Sequence, residues 1–464
     1  MTAGDLPDPL THALDRATGS RPIPGNRVEL LTDGPAIFTA ALRAIGGADH
    51  WIHFDNYIIR ADRTGKEFAA ALGERARAGV RVRLLVDRLG SAGTPRRYWD
   101  QLRKDGVEVR FFGPLRLLDL GANLVRDHRK IIVVDGECGI GGGFCIADEW
   151  AGDPAAGRQP WRETGVGLWG PAASAMDLAF ADLWGRLGPS LPEDELRGDV
   201  PARGDSLVRV ISGAPGRDRA YRTMELILAA TTDRFWVTDA YFMAPRRMFQ
   251  TLLDAARDGV DVRLLVPGSS DLPWIRNLTR IGYRRLLRGG VRIYEWEGPM
   301  LHAKAAVADG RWVRIGSSNL NPSSLYGNWE LDVLIDDPGF AGECEAQFRR
   351  DLDQSAEVTT RPFLPRAPLR ARPTALSIAR SRERPATHRP GFRERRRSSL
   401  VLLWTLLGSA RLATFGPVAL LFLVMGALFL LLPRAMAVVF GALFLWFATA
   451  AGFHALRRSD RGPA

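Results

Sequence analysis

Between residues 25 and 367 two apolar rhythms alternate along the chain. Lys66–Gly79 (KEFAAALGERARAG) and Arg246–Gly259 (RRMFQTLLDAARDG) space their apolar residues at three and four, as amphipathic helices do. Each leads into a run rich in branched residues, Val80–Val86 (VRVRLLV) and Val260–Val266 (VDVRLLV), which reads as a strand. In both places another helix and another strand follow, the strands being Gly106–Phe111 and Gly290–Glu295. Trp51–Ile59 and Phe235–Tyr241 read as the strands that open the two halves. Alternating helices and strands predict α/β units. Self-similarity at an offset of 174–184 residues predicts two tandem α/β/α copies of one fold, packed with pseudo-two-fold symmetry. An N-terminal extension is expected over 1–24, the first half over 25–189, a polar linker over 190–206 and the second half over 207–367.

Beyond residue 367 the pattern changes. Residues 368–397 form an Arg/Pro-rich linker, and 398–412 (SSLVLLWTLLGSARL) reads as an interfacial helix, apolar but short. Phe415–Leu432 and Met436–Phe453 are uncharged runs of 18 residues each. At 1.5 Å per residue each covers ~27 Å, enough for a hydrocarbon core. Residues 415–453 are therefore expected to be a C-terminal transmembrane helical hairpin, with a basic tail over 454–464.

Charge refines this picture. Of a net +11, residues 361–397 supply most, with twelve arginines against Glu383 and Glu394. The remainder is close to neutral, so nucleic acid is an unlikely partner. The same stretch holds six prolines and cannot bury a core. Lying before the spans, its arginines suit anionic lipid, at ~1 kcal/mol per residue near the surface. Arg457, Arg458 and Arg461 follow the second span, so the positive-inside rule puts both ends and the N-terminal portion in the cytoplasm. Met1–Gly19 has neither a basic start nor an apolar stretch, so no signal peptide is expected. Cys138, Cys145 and Cys344 are too few and scattered for a disulfide framework or zinc site, which fits a reducing compartment.

The chemistry lies in a repeated motif. His128-Arg129-Lys130, with Asp135, recurs as His302-Ala303-Lys304, with Asp309. Both copies read His-x-Lys-x4-Asp, and a glycine follows each Asp after seven residues, Gly142 and Gly316. Only seven histidines occur, and two hold equivalent places. On a strand, positions i and i+2 share a face, so each His projects with its Lys. Symmetric packing would bring all four to one pocket, where the lysines neutralise a phosphodiester. One imidazole could attack phosphorus and the other protonate the leaving oxygen, with no metal or cofactor. Asp135 and Asp309, at strand ends, are expected to anchor the motifs. His53, within a strand, reads as structural.

The neighbourhood fits. Gly316, Ser317 and Asn319, and Gly142, Gly143 and Cys145 opposite, offer close backbone approach and donors for an anion. A histidine base needs an acceptor on its second ring nitrogen. Glu330, in Asn328-Trp329-Glu330, and Glu163, in Trp161-Arg162-Glu163, are the candidates.

These motifs resemble the phospholipase D superfamily over about residues 25–365, and within it the bacterial cardiolipin synthases, particularly the type called cardiolipin synthase B. The likeness also rests on Gly25–Leu31, Ala147-Asp148-Glu149-Trp150 and Gly316–Leu325. It implies two tandem phospholipase D-like halves and a phosphatidyl transfer in two steps. His128 would attack one phosphatidylglycerol, giving a phosphohistidine, while His302 protonates the departing glycerol. His302 would then deprotonate the hydroxyl of a second phosphatidylglycerol, yielding cardiolipin. Lys130, Lys304 and Asn319 would hold the phosphate oxygens. Phosphatidylglycerol, other anionic phospholipids and the bacterial inner membrane are the expected partners. Cys145 departs from the family, which has Asn there, and the hairpin follows the catalytic halves, whereas the commonest bacterial type has its spans first. The rival functions are a hydrolase releasing phosphatidic acid, a nuclease, and a lipid-binding protein without turnover.

Overall fold

The computed structural model describes residues 9–113 and 125–359, together with Leu431, Leu432, Val438, Leu445, Trp446 and Thr449. Among these no helix is long and apolar enough to cross a membrane. The Arg/Pro-rich linker, the interfacial segment, the basic tail and nearly all of the hairpin expected over 415–453 lie outside the described residues.

Seven strands come from the first half: β1 (Ile23–Thr32), β2 (Trp51–Asn56), β3 (Arg81–Asp87), β4 (Glu108–Phe112), β5 (Lys130–Val134), β6 (Cys138–Gly142) and β7 (Thr164–Trp169). The second half repeats them as β8 (Ser206–Gly213), β9 (Arg234–Asp239), β10 (Asp261–Pro267), β11 (Arg292–Trp296), β12 (Lys304–Ala308), β13 (Trp312–Gly316) and β14 (Glu330–Asp336), and adds β15 (Ser355–Val358). All join one sheet in the order β15-β11-β10-β9-β12-β13-β14-β8-β1-β7-β6-β5-β2-β3-β4. Outward from the β1–β8 junction the two halves have the same order, each strand matched by the one seven later. β1 and β8 pair antiparallel, as a two-fold axis between them requires.

Alternation explains the layers. In β5 and β12 successive side chains feed opposite faces, and both faces are covered. One face carries helices Pro171–Arg186 and Pro338–Asp353, whose Phe180, Trp184 and Phe348 share a core with residues of both halves. The other face carries separate cores, around Phe38 and Phe68 in the first half and around Met248 and Leu252 in the second. This is the expected α/β/α arrangement.

One expectation is corrected. Trp51–Asn56 and Arg234–Asp239 do not open the halves; β1 and β8 precede them and build the junction. β1 mixes buried Asn26 and Leu31 with exposed Pro24, Arg27 and Glu29, and β8 sets a buried Arg209 between Val208 and Val210, so neither shows a plain apolar run. The N-terminal extension holds a helix, Pro9–Thr18, whose Leu14 joins the second half's core while Asp15 pairs with Arg209 at 2.6 Å. The polar linker is also tied down. Its buried Glu195 faces His53 Nε2 at 3.3 Å, and Asp177 faces His53 Nδ1 at 2.8 Å. His53 is thus structural, and these two carboxylates hold its pKa above the ordinary value although burial opposes them.

Candidate active site

Strand register places the two motifs at one edge of the sheet. Lys130 starts β5 opposite Asn56 at the end of β2, and Lys304 starts β12 opposite Asp239 at the end of β9. Each histidine lies two residues earlier, where the chain enters the sheet. There the halves exchange short parallel bridges. His128 N–H donates to Trp329 C=O at 2.9 Å, and Trp329 N–H to Arg126 C=O at 2.8 Å. His302 N–H donates to Arg162 C=O at 2.8 Å, and Arg162 N–H to Met300 C=O at 2.9 Å. Each histidine is thereby delivered to the glutamate of the other half. His128 Nδ1 meets Glu330 Oε2 at 3.0 Å and Oε1 at 3.1 Å; His302 Nδ1 meets Glu163 Oε2 at 2.8 Å.

The lysines complete the pocket. Lys304 Nζ lies 3.0 Å from His302 Nδ1, and Lys130 donates to the His128 carbonyl. Each lysine sits near a tyrosine ring, Lys130 at 5.1 Å from Tyr57 and Lys304 at 5.7 Å from Tyr241. The same tyrosines meet the histidines edge-on, at centroid distances of 4.9 Å and 5.8 Å. Trp150 and Trp161 add two further rings around His302, at 5.0 and 5.7 Å, and Trp150 Nε1 donates to Glu163.

Electrostatics separate the two sides. Burial, then the positive Lys304 and Lys130, hold His302 well below its ordinary pKa. Burial also lowers His128, but Glu330 opposes it. Burial pushes Glu163 up to about 7, whereas His128, Lys130 and Ser317 outweigh burial at Glu330 and keep it low. Lys304 is lowered by burial to about 8. Ionised Glu330 can only accept the Nδ1–H of His128, which leaves Nε2 with its lone pair free. Glu163 can hold or release a proton near neutrality.

The small residues sit where backbone crowds the site. A Cβ on Gly143 would lie 2.8 Å from Glu163 Oε1 and 2.9 Å from Lys304 Cδ. One on Gly316 would collide with Asp332 Oδ1 at 2.0 Å. Gly142 ends β6 opposite Gly165. Ser317 donates to Glu330 at 2.5 Å. Asn319 is buried, with its Oδ1 unpartnered and its Nδ2 in one long bond of 3.4 Å to Ser324, so its amide has capacity for a ligand. Cys145, in the equivalent place, is buried at the edge of the first half's core, and burial pushes its thiol up although both lysines oppose it.

Asp135 and Asp309, expected to anchor the motifs, do not join the pocket. They cap the far ends of β5 and β12. Asp135 accepts the N–H groups of Asp49, His50 and Trp51, each at 2.8 Å. Asp309 accepts those of Thr232, Asp233 and Arg234, each at 2.9 Å. Both are anchors that fix where their strands begin to pair. Tyr57, Tyr241, Trp150 and Trp161 were missed as site residues. The repeated Asp-x-Tyr of Asp55–Tyr57 and Asp239–Tyr241 was the available signal for the tyrosines.

Comparison with known proteins follows the same lines. A family model described as "Cardiolipin synthase, PLD-like domain" matches residues 41–149 and 224–352, one motif in each stretch. Cardiolipin synthase A of Pseudomonas aeruginosa (strain LESB58) is 36% identical over 355 residues, 75% of this chain and 71% of that protein. Cardiolipin synthase of Geobacillus sp. (strain WCH70) is 30% identical over 393 residues, 82% of this chain and 76% of its own length. The crystal structure of phosphatidylserine synthase from Haemophilus influenzae Rd KW20 has the same fold, with a TM-score of 0.60 at 14% identity, covering 76% of this chain and 92% of that one.

Proposed function

This chain belongs to the bacterial cardiolipin synthases of the phospholipase D superfamily, and from that premise we propose that it condenses two phosphatidylglycerols to cardiolipin and glycerol through a phosphohistidine. The observation that carries the mechanism is the reciprocal pairing of His128 with Glu330 and His302 with Glu163 across the halves.

His128 is the proposed nucleophile. Glu330 fixes its tautomer, and Nε2 attacks phosphorus as the phosphorus–glycerol oxygen bond breaks. His302 is the proposed acid and base. Its Nε2–H goes to the departing glycerol oxygen, with the Glu163 carboxyl at about 7 resupplying the imidazole. In the second step the hydroxyl of another phosphatidylglycerol returns a proton to His302. Its oxygen attacks phosphorus, and the phosphorus–nitrogen bond breaks. Lys130, Lys304 and Asn319 would hold the phosphate oxygens throughout. The hairpin over 415–453 is the proposed anchor to the inner membrane, with the catalytic part cytoplasmic.

Purified full-length protein should convert phosphatidylglycerol vesicles to cardiolipin plus glycerol in the presence of chelator, by mass spectrometry. Both His128→Ala and His302→Ala should lose at least a thousandfold. With phosphatidylglycerol labelled in its phosphatidyl part, His302→Ala should retain a covalent adduct and His128→Ala none. An adduct on His128→Ala alone would reverse the two roles. Phosphatidic acid as sole product would make the protein a hydrolase.

A further inference from the structure

Exposed apolar side chains of the catalytic unit gather at the histidine edge. Leu89 follows β3, Leu272 follows β10 and Tyr326 follows β13; they are 47%, 37% and 42% exposed. Register puts the ends of these strands alongside Lys130 or Lys304. Leu178, on helix Pro171–Arg186, lies elsewhere, and Leu278 and Ile281 lie on the helix that follows Leu272.

From this edge the helix Pro273–Arg288 sets out, joined to the site at its start. Asp271 accepts from the Tyr241 hydroxyl at 2.9 Å, and Thr279 donates to Phe242 C=O at 2.7 Å. The inner side of the helix buries Tyr283 and Leu286 in the second half's core. The outer side leaves Leu278 44% and Ile281 75% exposed, one turn apart on the same face. The helix contains five arginines and no Asp or Glu. Arg280 is taken by Glu295 at 2.6 Å, but Arg284 and Arg288 are exposed and make no ion pair among the described residues. The equivalent helix of the first half, Arg96–Lys104, sets Asp100 among its basic residues and exposes no large apolar one.

An apolar ridge flanked by unpaired arginines matches a surface that is anionic outside and apolar just beneath. A soluble acidic partner would leave Ile281 in water. A second copy meeting the same face would set arginines against arginines. We propose that helix Pro273–Arg288 docks the catalytic unit on an anionic bilayer, with the histidine edge, where the helix begins, beside the lipid headgroups. This rests on the phosphatidylglycerol reading above. Helix Arg96–Lys104 needs no matching ridge, because one ridge suffices to bring one pocket to one bilayer.

The test uses full-length protein reconstituted in vesicles, with an environment-sensitive label on Ile281→Cys and labelled wild type as background. In phosphatidylglycerol bilayers the label should shift to the blue and be quenched by lipids brominated in their acyl chains; in phosphatidylcholine bilayers it should not. No quenching in either bilayer, or equal quenching in both, overturns the docking on anionic lipid. Turnover is then compared on bilayer phosphatidylglycerol and on a short-chain phosphatidylglycerol kept monomeric. Leu278→Glu/Ile281→Glu should lose about tenfold on bilayers and stay within about twofold on the monomeric lipid. Unchanged turnover on both overturns the docking while the synthase reading stands. Equal loss on both also overturns it, since the effect then lies in the site or the fold. If wild type makes cardiolipin from neither lipid, the synthase reading falls, and the quenching still decides the docking.

Discussion

The two halves present the same His-x-Lys pair on equivalent strands and support it by opposite means. In the first, the intervening residue is Arg129, fully buried, paired with Asp55 at 2.7 Å and Asp127 at 3.1 Å and donating to Ala179 C=O at 2.7 Å. In the second it is Ala303, flanked by the buried Leu301, with Thr238 in the register position of Asp55. The first half sets its ionic cluster at the motif's own middle residue; the second packs Ala303 among apolar residues and places its buried pair, Arg314 with Asp332 at 2.6 Å, on the two neighbouring strands. Symmetry is kept at the four groups that converge on phosphate and at the crossed glutamates. It lapses one residue away, where any arrangement that fixes the strand will serve. One guanidinium cannot neutralise two carboxylates. Burial, then Asp127, accordingly push Asp55 well above the ordinary carboxylate range, and Arg129 pulls the other way.

The comparison breaks most visibly at Arg129. Arg129→Ala leaves a buried carboxylate without its partner and should destabilise the catalytic unit by about 3–5 kcal/mol, a large share of a domain's usual stability. Ala303→Gly, at the matching site, should cost about 1 kcal/mol. Arg129→Met combined with Asp55→Asn and Asp127→Asn should recover most of the loss, because no unpaired charge remains. Thermal unfolding midpoints of the four proteins decide it. Similar losses for Arg129→Ala and Ala303→Gly would mean that the ionic cluster does not support its half.

The two glutamates sharpen the comparison next. Glu330→Gln removes the carboxylate that fixes the His128 tautomer and should lower kcat by about a hundredfold or more. Glu163→Gln should lower kcat similarly and also abolish a limb near pH 7 in the pH profile, which Glu330→Gln should keep. Stability gives an independent reading. Glu163 has its ordinary value at 4.5 and is held up to about 7 in the folded protein. Its contribution is complete below the first value and is lost as pH rises through the second. Wild-type melting temperature should therefore fall across this window by an amount that Glu163→Gln removes. Glu330 is lowered, so its contribution is present above its ordinary value and lost only on acidification. A wild-type curve identical to that of Glu163→Gln would place Glu163 in its ordinary range.

Much of this was legible in sequence because repetition is a linear property. Two copies of His-x-Lys-x4-Asp, with glycines at equal distance, singled out the His/Lys pairs that the fold brings together and pointed to the α/β fold class without coordinates. Glu163 and Glu330 were legible as acceptors, but not which histidine each would meet. That depends on the bridges from Arg162 to Met300 and from Trp329 to Arg126, which form only when the halves pack. The aromatic enclosure of His302 was hidden for the same reason. Trp150 and Trp161 are far from it in sequence, and the first half supplies both. β1 and β8 were hidden because strands at a junction need no continuous apolar run. Arg129 meets Asp55 only in the fold, because β2 and β5 are neighbours in the sheet and distant in sequence.

Cys145 gives the smallest expected effect and the finest view of the asymmetry. Asn319 offers a buried amide with spare capacity, while the thiol opposite is a poor donor that burial keeps protonated. If phosphate is held mainly from the Asn319 side, Cys145→Ser should leave turnover within about twofold and lower stability by about 1 kcal/mol, as expected for a hydroxyl placed in an apolar site. Cys145→Asn, which gives the first half the donor it lacks, should raise turnover by up to about threefold if the larger side chain is accommodated. Steady-state rates on phosphatidylglycerol, normalised to folded protein, separate these outcomes. Loss of all turnover in Cys145→Ser would give the thiol a direct part in the reaction, and the two halves would then differ in chemistry as well as in support.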